Sequence, residues 1–98
     1  MKVSIICPFF NEELIIEKAA YGMISNLEKS QLDWELVCVN DGSTDNGLSK
    51  LRSSIGNNEK VNIVDYNINQ GRGYAIKYGM KKARGDILIS TEIDLSWG

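Results

Sequence analysis

The residues best suited to chemistry stand near the carboxy end of the chain, in the stretch Ile87 to Gly98, ILISTEIDLSWG. An apolar run, Ile87, Leu88 and Ile89, gives way at once to acid, Glu92 and Asp94. Side chains at alternate positions of an extended segment point to the same side, so the two carboxylates converge. Paired acids held away from bulk water are costly unless a cation or hydrogen-bond donors meet them. Hard oxygen ligands suit Mg²⁺ or Mn²⁺, and a divalent metal carrying a diphosphate would answer that cost. The bland alternative is a solvated acidic loop after a strand. The apolar run itself, bounded by polar residues, predicts a fully buried strand of a parallel sheet. Open α/β sheets bind ligands beyond the carboxyl ends of their strands, which is where these acids would sit.

The remaining elements can be read in order. KVSIICPF, Lys2 to Phe9, is rich in β-branched residues and predicts a first strand that finishes near Pro8, which has no N–H to donate. Asn11 then reads as the N-cap of a helix with Glu12 and Glu13 in its first turn, running to about Lys29. WELVCVN, Trp34 to Asn40, predicts a second strand, followed by the polar turn Asp41 to Asp45. Ser43 or Asp45 caps a short second helix carrying Leu48, Leu51 and Ile55, and Gly56 stops it. VNIVDY, Val61 to Tyr66, predicts a third strand nearer a sheet edge. Asn67 to Gly73 is a glycine-bearing loop. A third helix follows from Tyr74, with Lys81, Lys82 and Arg84 in its last turn and Gly85 as its C′ residue. The order β-α-β-α-β-α-β implies an α/β fold with a parallel sheet and right-handed crossovers.

Composition narrows the function classes. The 98 residues suffice for one small domain, with 43% apolar and 24% charged residues, as in an ordinary globular protein. A net charge of −2 gives no reason to expect nucleic acid or an anionic membrane as partner. No apolar run approaches the ~20 residues that cross a bilayer, and the start lacks a signal-peptide pattern, which predicts a cytosolic domain. Cys7 and Cys38 lie inside apolar strands and read as reduced packing residues. The absence of histidine removes the commonest general base and zinc ligand. A strand so near the carboxy terminus predicts that residues 1–98 are the amino-terminal part of a longer protein. An incomplete sheet would leave an unpaired edge and exposed apolar surface, which favours self-association.

In a parallel sheet all strand exits share one edge. The first exit supplies Pro8, Asn11 and Glu12; the second, Asn40, Asp41 and Asp45; the third, the loop containing Gly71, Arg72 and Gly73; the fourth, Glu92 and Asp94. Each has an ordinary use as well: Asn11 as a cap, Asp41 as a turn residue, Arg72 as a solvated charge, and Trp97 as packing. Together they fit a sugar nucleotide, with carboxylates and amides for base and ribose, a cation and metal for the diphosphate, and glycines for close approach. Two other readings stay open. Gly71-Arg72-Gly73 opening a helix, with Glu92 about 20 residues on, is a fragment of a dinucleotide-binding fingerprint, although Ile76 stands at the third glycine position. A non-catalytic nucleotide- or phosphate-binding α/β module would use Asp41 or Asp94 for phosphate or metal.

Four stretches resemble family-two glycosyltransferases: VSIICPFFNEE (Val3 to Glu13), ELVCVNDGSTD (Glu35 to Asp45), the Asn-x-Gly-x-Gly loop and helix from Asn69, and the Arg-Gly-Asp and acidic motif running to Ser96. The Asp-Leu-Ser after the acids is similar to polyprenyl-phosphate sugar transferases of the dolichyl-phosphate mannose synthase type. The resemblance implies a Rossmann-like half of a GT-A fold, with residues 1–98 as the nucleotide-sugar-binding domain and a UDP- or GDP-sugar as donor. It implies Pro8, Asn11 and Glu12 in the nucleoside pocket, Asp41 on the base or ribose, and Gly71, Arg72 and Gly73 in the nearby wall. It also implies Glu92 and Asp94 at the metal, Mg²⁺ or Mn²⁺. A polyprenyl phosphate or a glycan would accept the sugar, at the inner face of a membrane in the whole protein. Two positions depart from the family pattern: Glu92 stands for the usual first Asp of the acidic motif, and Asn40 for the first acid of a usual Asp-Asp pair.

Overall fold

The computed structural model describes residues 1–94 and orders the chain as β1 (Lys2–Phe9), α1 (Ile16–Lys29), β2 (Asp33–Asp41), α2 (Gly47–Ile55), β3 (Val61–Tyr66), α3 (Arg72–Lys82) and β4 (Ile87–Ser90). All strand pairs are parallel, in the order β3-β2-β1-β4. The expected α/β alternation is therefore the one found, with β3 at one edge. Leu95, Ser96 and Trp97, read above as part of the acidic motif and as packing, lie outside the described residues.

Alternation along β1 and β2 builds two cores. Val3, Ile5, Cys7 and Phe9 of β1, with Trp34, Leu36 and Cys38 of β2, face Ile16, Met23 and Leu27 of α1 and Leu51 and Ile55 of α2. Ile6, Val37 and Val39 point the other way, against Ala75 of α3. Both cysteines are buried and free, and burial pushes the Cys38 thiol up to about 12. The third helix lies close on the sheet because Gly79 has no side chain; a Cβ there would stand 2.6 Å from Ile6 Cγ2 and 2.8 Å from Val39 Cγ2.

Three expectations are corrected. The first helix starts at Ile16, not beside Asn11, and Ile15 occupies its N-cap. Asn11 takes a positive φ of 52°, unlike an N-cap residue, and its amide oxygen is committed to the Thr44 and Asp45 N–H groups, so it does not cap the helix. The Glu12 carbonyl instead accepts the N–H groups of Ile15 and Ile16. Gly85 does not terminate α3, whose C-cap Ala83 is extended. Gly85 is small because a Cβ would fall 2.3 Å from Ser4 Oγ, and its N–H donates to that oxygen at 2.8 Å. The third correction concerns β4. It pairs with β1 on one side, and Ile87, Leu88 and Ile89 are 44%, 39% and 47% exposed. The described residues place no further strand on its outer side, and the helices they form pack on β1 and β2. An apolar run signals a surface suited to burial; here that cover is not supplied by residues 1–94.

At the amino-terminal edge of the sheet, Glu35 is buried and accepts the Ser4 hydroxyl at 2.6 Å and the Arg84 N–H. Burial raises the Glu35 carboxyl, but the bonds from Ser4 and Arg84 and the charge of Lys2 outweigh it and hold the carboxyl below its ordinary 4.5. A depressed folded-state value means that this group contributes stability above the unfolded value, lost as pH falls through the folded one. Acid titration of unfolding should therefore show stability dropping below about pH 4.5, and Glu35→Gln should flatten that drop; a Gln variant with the wild-type acid slope would contradict the role given to Glu35. Gly79→Val should lower stability by about 1–3 kcal/mol through overpacking against Ile6 and Val39, read from the urea midpoint.

Candidate functional site

The sheet order sets the place of the site. Connections run from β1 outward to β2 and β3, then return across the sheet to β4 on the opposite side of β1. A crevice at the carboxyl ends of the strands where the order reverses is the expected ligand position of an open α/β sheet. A cavity of about 350 Å³ lies there, lined by Pro8, Phe9, Phe10, Glu12, Asp41, Asn69, Gly71, Arg72, Glu92 and Ile93. All four strand exits contribute to it.

Of the residues singled out from sequence, Pro8, Glu12, Asp41, Gly71, Arg72 and Glu92 line this cavity. Asn11 does not line it; it ties two exits together instead. Its amide oxygen accepts the N–H groups of Thr44 at 2.8 Å and Asp45 at 3.3 Å, and its own N–H donates to Ser43 Oγ at 3.0 Å. Glu13 continues the seam, accepting the Asn46 N–H at 3.2 Å and pairing with Lys50 at 3.1 Å. Those two contacts, the Asn46 bond foremost, hold the Glu13 carboxyl below its ordinary value. Asp45 serves the second helix as expected, taking the Gly47 N–H at 2.9 Å, although the N-cap position itself is Asn46.

Asp41 ends β2 and is buried, with its carboxylate bonded to groups between Tyr66 and Gly71. Sequence reasoning did not single out Tyr66 or Gln70, and gave Asn69 only as the start of the Asn-x-Gly-x-Gly loop. The signal was present in the pairing, because a β2–β3 register that sets Asn40 beside Asp65 also sets Asp41 beside Tyr66. Gly71 adopts φ 93°, ψ 162°, a conformation open essentially to glycine alone. Gly73 lies in the first turn of α3, and a Cβ there would meet nothing within 4 Å.

Arg72 and Glu92 form an ion pair at 3.2 Å across the cavity, their side chains 51% and 68% exposed. At such exposure the pair is worth only about 0.2–1 kcal/mol, so either partner is easily drawn to a ligand. The field of this rim reaches the end of β1. Burial, then the neighbouring Cys38 and the negative charge of Asp94, pushes the Cys7 thiol well above its usual range, with Arg72 opposing. A thiol so held is protonated and inert as a nucleophile.

The residues can be tested against a divalent metal. Among the described residues no three Asp, Glu, His or Cys side chains converge, so those residues form no cage of their own. Mg²⁺ and Mn²⁺ at phosphate-transfer sites use one or two carboxylates and complete their shell with water and phosphate oxygens. Glu92 and Asp94, an exposed Glu and Asp at the β4 exit, are that kind of donor set.

Comparison with known proteins is consistent with this geometry. Residues 4–97 match the family model described as Glycosyl transferase family 2. The undecaprenyl-phosphate 4-deoxy-4-formamido-L-arabinose transferase of Proteus mirabilis is 33% identical over 96 residues, covering 96% of this chain and 29% of that protein. Among solved structures, the mannosyltransferase PcManGT from Pyrobaculum calidifontis, in complex with GDP-Man and Mn²⁺, superposes with a TM-score of 0.78 at 25% identity, over 94% of this chain and 27% of that one. The S. aureus TarS fragment 1–349 with UDP-GlcNAc gives 0.80 at 26% identity, over 96% and 27%. The chain spans less than a third of the length of the first curated relatives it matches.

The two glycines beside Arg72 separate fold from ligand. Gly71→Ala should cost about 1–3 kcal/mol of stability because of its φ. Gly73→Ala should leave stability unchanged or raise it by up to about 1 kcal/mol, since alanine suits a helix better. Urea titration of both variants checks this, and equal losses would contradict the assignment of strain to Gly71 alone.

Proposed function

The chain belongs to glycosyl transferase family 2, and from that premise we propose that its strand-exit cavity binds the nucleoside diphosphate of a sugar donor for inverting transfer to an acceptor. The fold is that of the GT-A glycosyltransferases. The observation that carries the reading is the convergence of Pro8, Asp41, Arg72 and Glu92, one from each strand exit, on one cavity at the switch point of the sheet.

On this reading Pro8 and Glu12 flank the nucleoside, Asn11 fixes the rim beside it, and Asp41 lies on the floor. Arg72 leaves Glu92 to meet diphosphate oxygens, where its planar guanidinium suits bidentate pairing. Gly73 keeps the start of α3 bare so that the ligand can approach closely. Glu92 and Asp94 would hold a divalent cation, which when bound supplies positive charge against the departing diphosphate. The bond between the anomeric carbon and the diphosphate oxygen breaks as an acceptor oxygen bonds to the opposite face of that carbon. A phosphate acceptor brings its own anionic oxygen, so this chemistry asks for no protein base.

The relatives named for polyprenyl-phosphate substrates support a lipid-phosphate acceptor, and so a place at the inner face of a membrane for the whole protein. None of the described helices is long and apolar enough to cross one. The likeness of this chain to structures solved with GDP-Man and with UDP-GlcNAc, over 94% and 96% of its length, supports reading residues 1–98 as a nucleotide-sugar-binding part. Among the described residues no strand pairs with the outer side of β4, whose apolar side chains are exposed, which supports association with a further strand, from a second copy or from another segment.

Calorimetry of the chain with UDP and with GDP, with and without Mn²⁺, tests the reading. One of the two should bind in a Mn²⁺-dependent way, and Asp94→Ala should weaken it about tenfold or more, ~1.4 kcal/mol. Equal affinity in wild type and Asp94→Ala would remove the metal role; no binding of either nucleotide would remove the donor site.

A further inference from the structure

Asn67 to Gly85 hold five of the chain's 11 basic residues and none of its 13 acidic ones. Six basic residues remain elsewhere against those 13 acids, so a net charge of −2 conceals a strong segregation. The basic side chains fall on α3 and its exit. Ala75 and Gly79 are the buried positions of that helix, and Ala75 clusters with Ile6, Val37 and Val39 of the sheet. Lys77 lies two residues from each of them, and Lys81 two residues beyond Gly79. Two residues turn a helix through about 200°, so both lysines point away from the sheet, one turn apart. Tyr74 and Met80 border the pair, 50% and 43% exposed. Lys82 stands over the Tyr78 ring at 5.5 Å, and Arg84 follows, also exposed. Among the described residues no carboxylate pairs with Lys77 or Lys81. The helix on the other face of the sheet differs, because α1 mixes Glu17, Lys18, Glu28 and Lys29.

We propose that the outward face of α3, with Lys77, Lys81, Lys82 and Arg84 bordered by Tyr74 and Met80, docks on an anionic phospholipid bilayer. The inference rests on the membrane place proposed above and names the surface that meets it. Cations without interspersed acids suit a layer of lipid phosphates, and each is worth roughly fivefold in partition. Tyr74 and Met80 suit the boundary between headgroups and acyl chains, where an apolar body and a polar tip are both accommodated. A nucleic acid would answer the charge but leave Met80 without a stacking or hydrogen-bonding partner. The helix has 11 residues, a length of about 16 Å, and begins at Arg72 of the cavity. A bilayer against its outward face therefore keeps the cavity beside the headgroup layer, within reach of a lipid phosphate.

Co-sedimentation of the full chain with mixed phosphatidylcholine–phosphatidylglycerol vesicles tests this, against vesicles of phosphatidylcholine alone. Binding should need the anionic lipid and should vanish as salt rises from about 0.1 M to about 1 M, where the Debye length falls from ~10 Å to ~3 Å. Lys77→Gln with Lys81→Gln should weaken it about 25-fold. Lys18→Gln with Lys29→Gln, the same loss of charge on α1, should weaken it about twofold at most. All four side chains are exposed, so folding is not at stake. Equal binding to neutral vesicles would move the contact to the exposed apolar side chains of β4 and overturn the proposal. Equal losses in the two double variants would reduce the effect to net charge and overturn it too, as would binding to duplex RNA in place of anionic vesicles. Calorimetry of the same samples with UDP or GDP and Mn²⁺ judges the donor site separately. Nucleotide binding without vesicle binding overturns the docking face alone; vesicle binding without nucleotide binding overturns the donor site alone.

Discussion

A carboxylate withdrawn from water must be given donors, and β2 carries two that are. Glu35 near its start and Asp41 at its end lie on the same side of the strand, with Val37 and Val39 between them. Asp41 binds the Gln70 and Gly71 amides just before α3, and Glu35 binds the Arg84 amide just after it. The third helix is thereby held at both ends by buried acids, and in the middle by the contact of Gly79 with Ile6 and Val39. Removing one partner from such a site leaves an uncompensated buried charge, which is far more costly than the bond is favourable. That asymmetry fixes the path of residues 66–85 over the sheet.

The path matters because α3 begins at Arg72. A helix pinned at Gly71 delivers Arg72 to the crevice between the β1 and β4 exits, opposite Glu92. On the other side of the crevice, Asn11 and Glu13 sew the β1 exit to the turn after β2, so Pro8 and Glu12 face the same space from a fixed wall. Rigid hydrogen-bonded walls with one weak, exposed ion pair across the opening make a site preorganised everywhere except where charge must be exchanged with a ligand.

The element order and sheet direction were legible in the sequence, because the alternation in β1 and β2 and the periodicity of α1 and α2 reflect burial directly. The rim was legible too, since a parallel sheet puts all its exits on one edge. Other features depended on partners distant in sequence. Asn11 looks like a cap from its neighbours, but its amide serves Thr44 and Asp45 across the rim. Gly85 looks like a helix stop, and its real constraint is Ser4, a close approach from β1. The apolar run of β4 read as buried, and its side chains stand exposed at a sheet edge. The role of Tyr66 is not visible from its neighbours in sequence, because only the strand register sets it beside Asp41.

The central claim is that the strand-exit crevice is a nucleotide diphosphate site whose wall is held by Asp41. A crystal structure of the chain with GDP or UDP and Mn²⁺ tests it most directly. The account predicts the diphosphate between Arg72 and the β4 exit, the nucleoside beside Pro8, and the Gln70 and Gly71 amides still on the Asp41 carboxylate. A nucleotide seated away from this crevice, or a diphosphate bound away from Arg72, would contradict it.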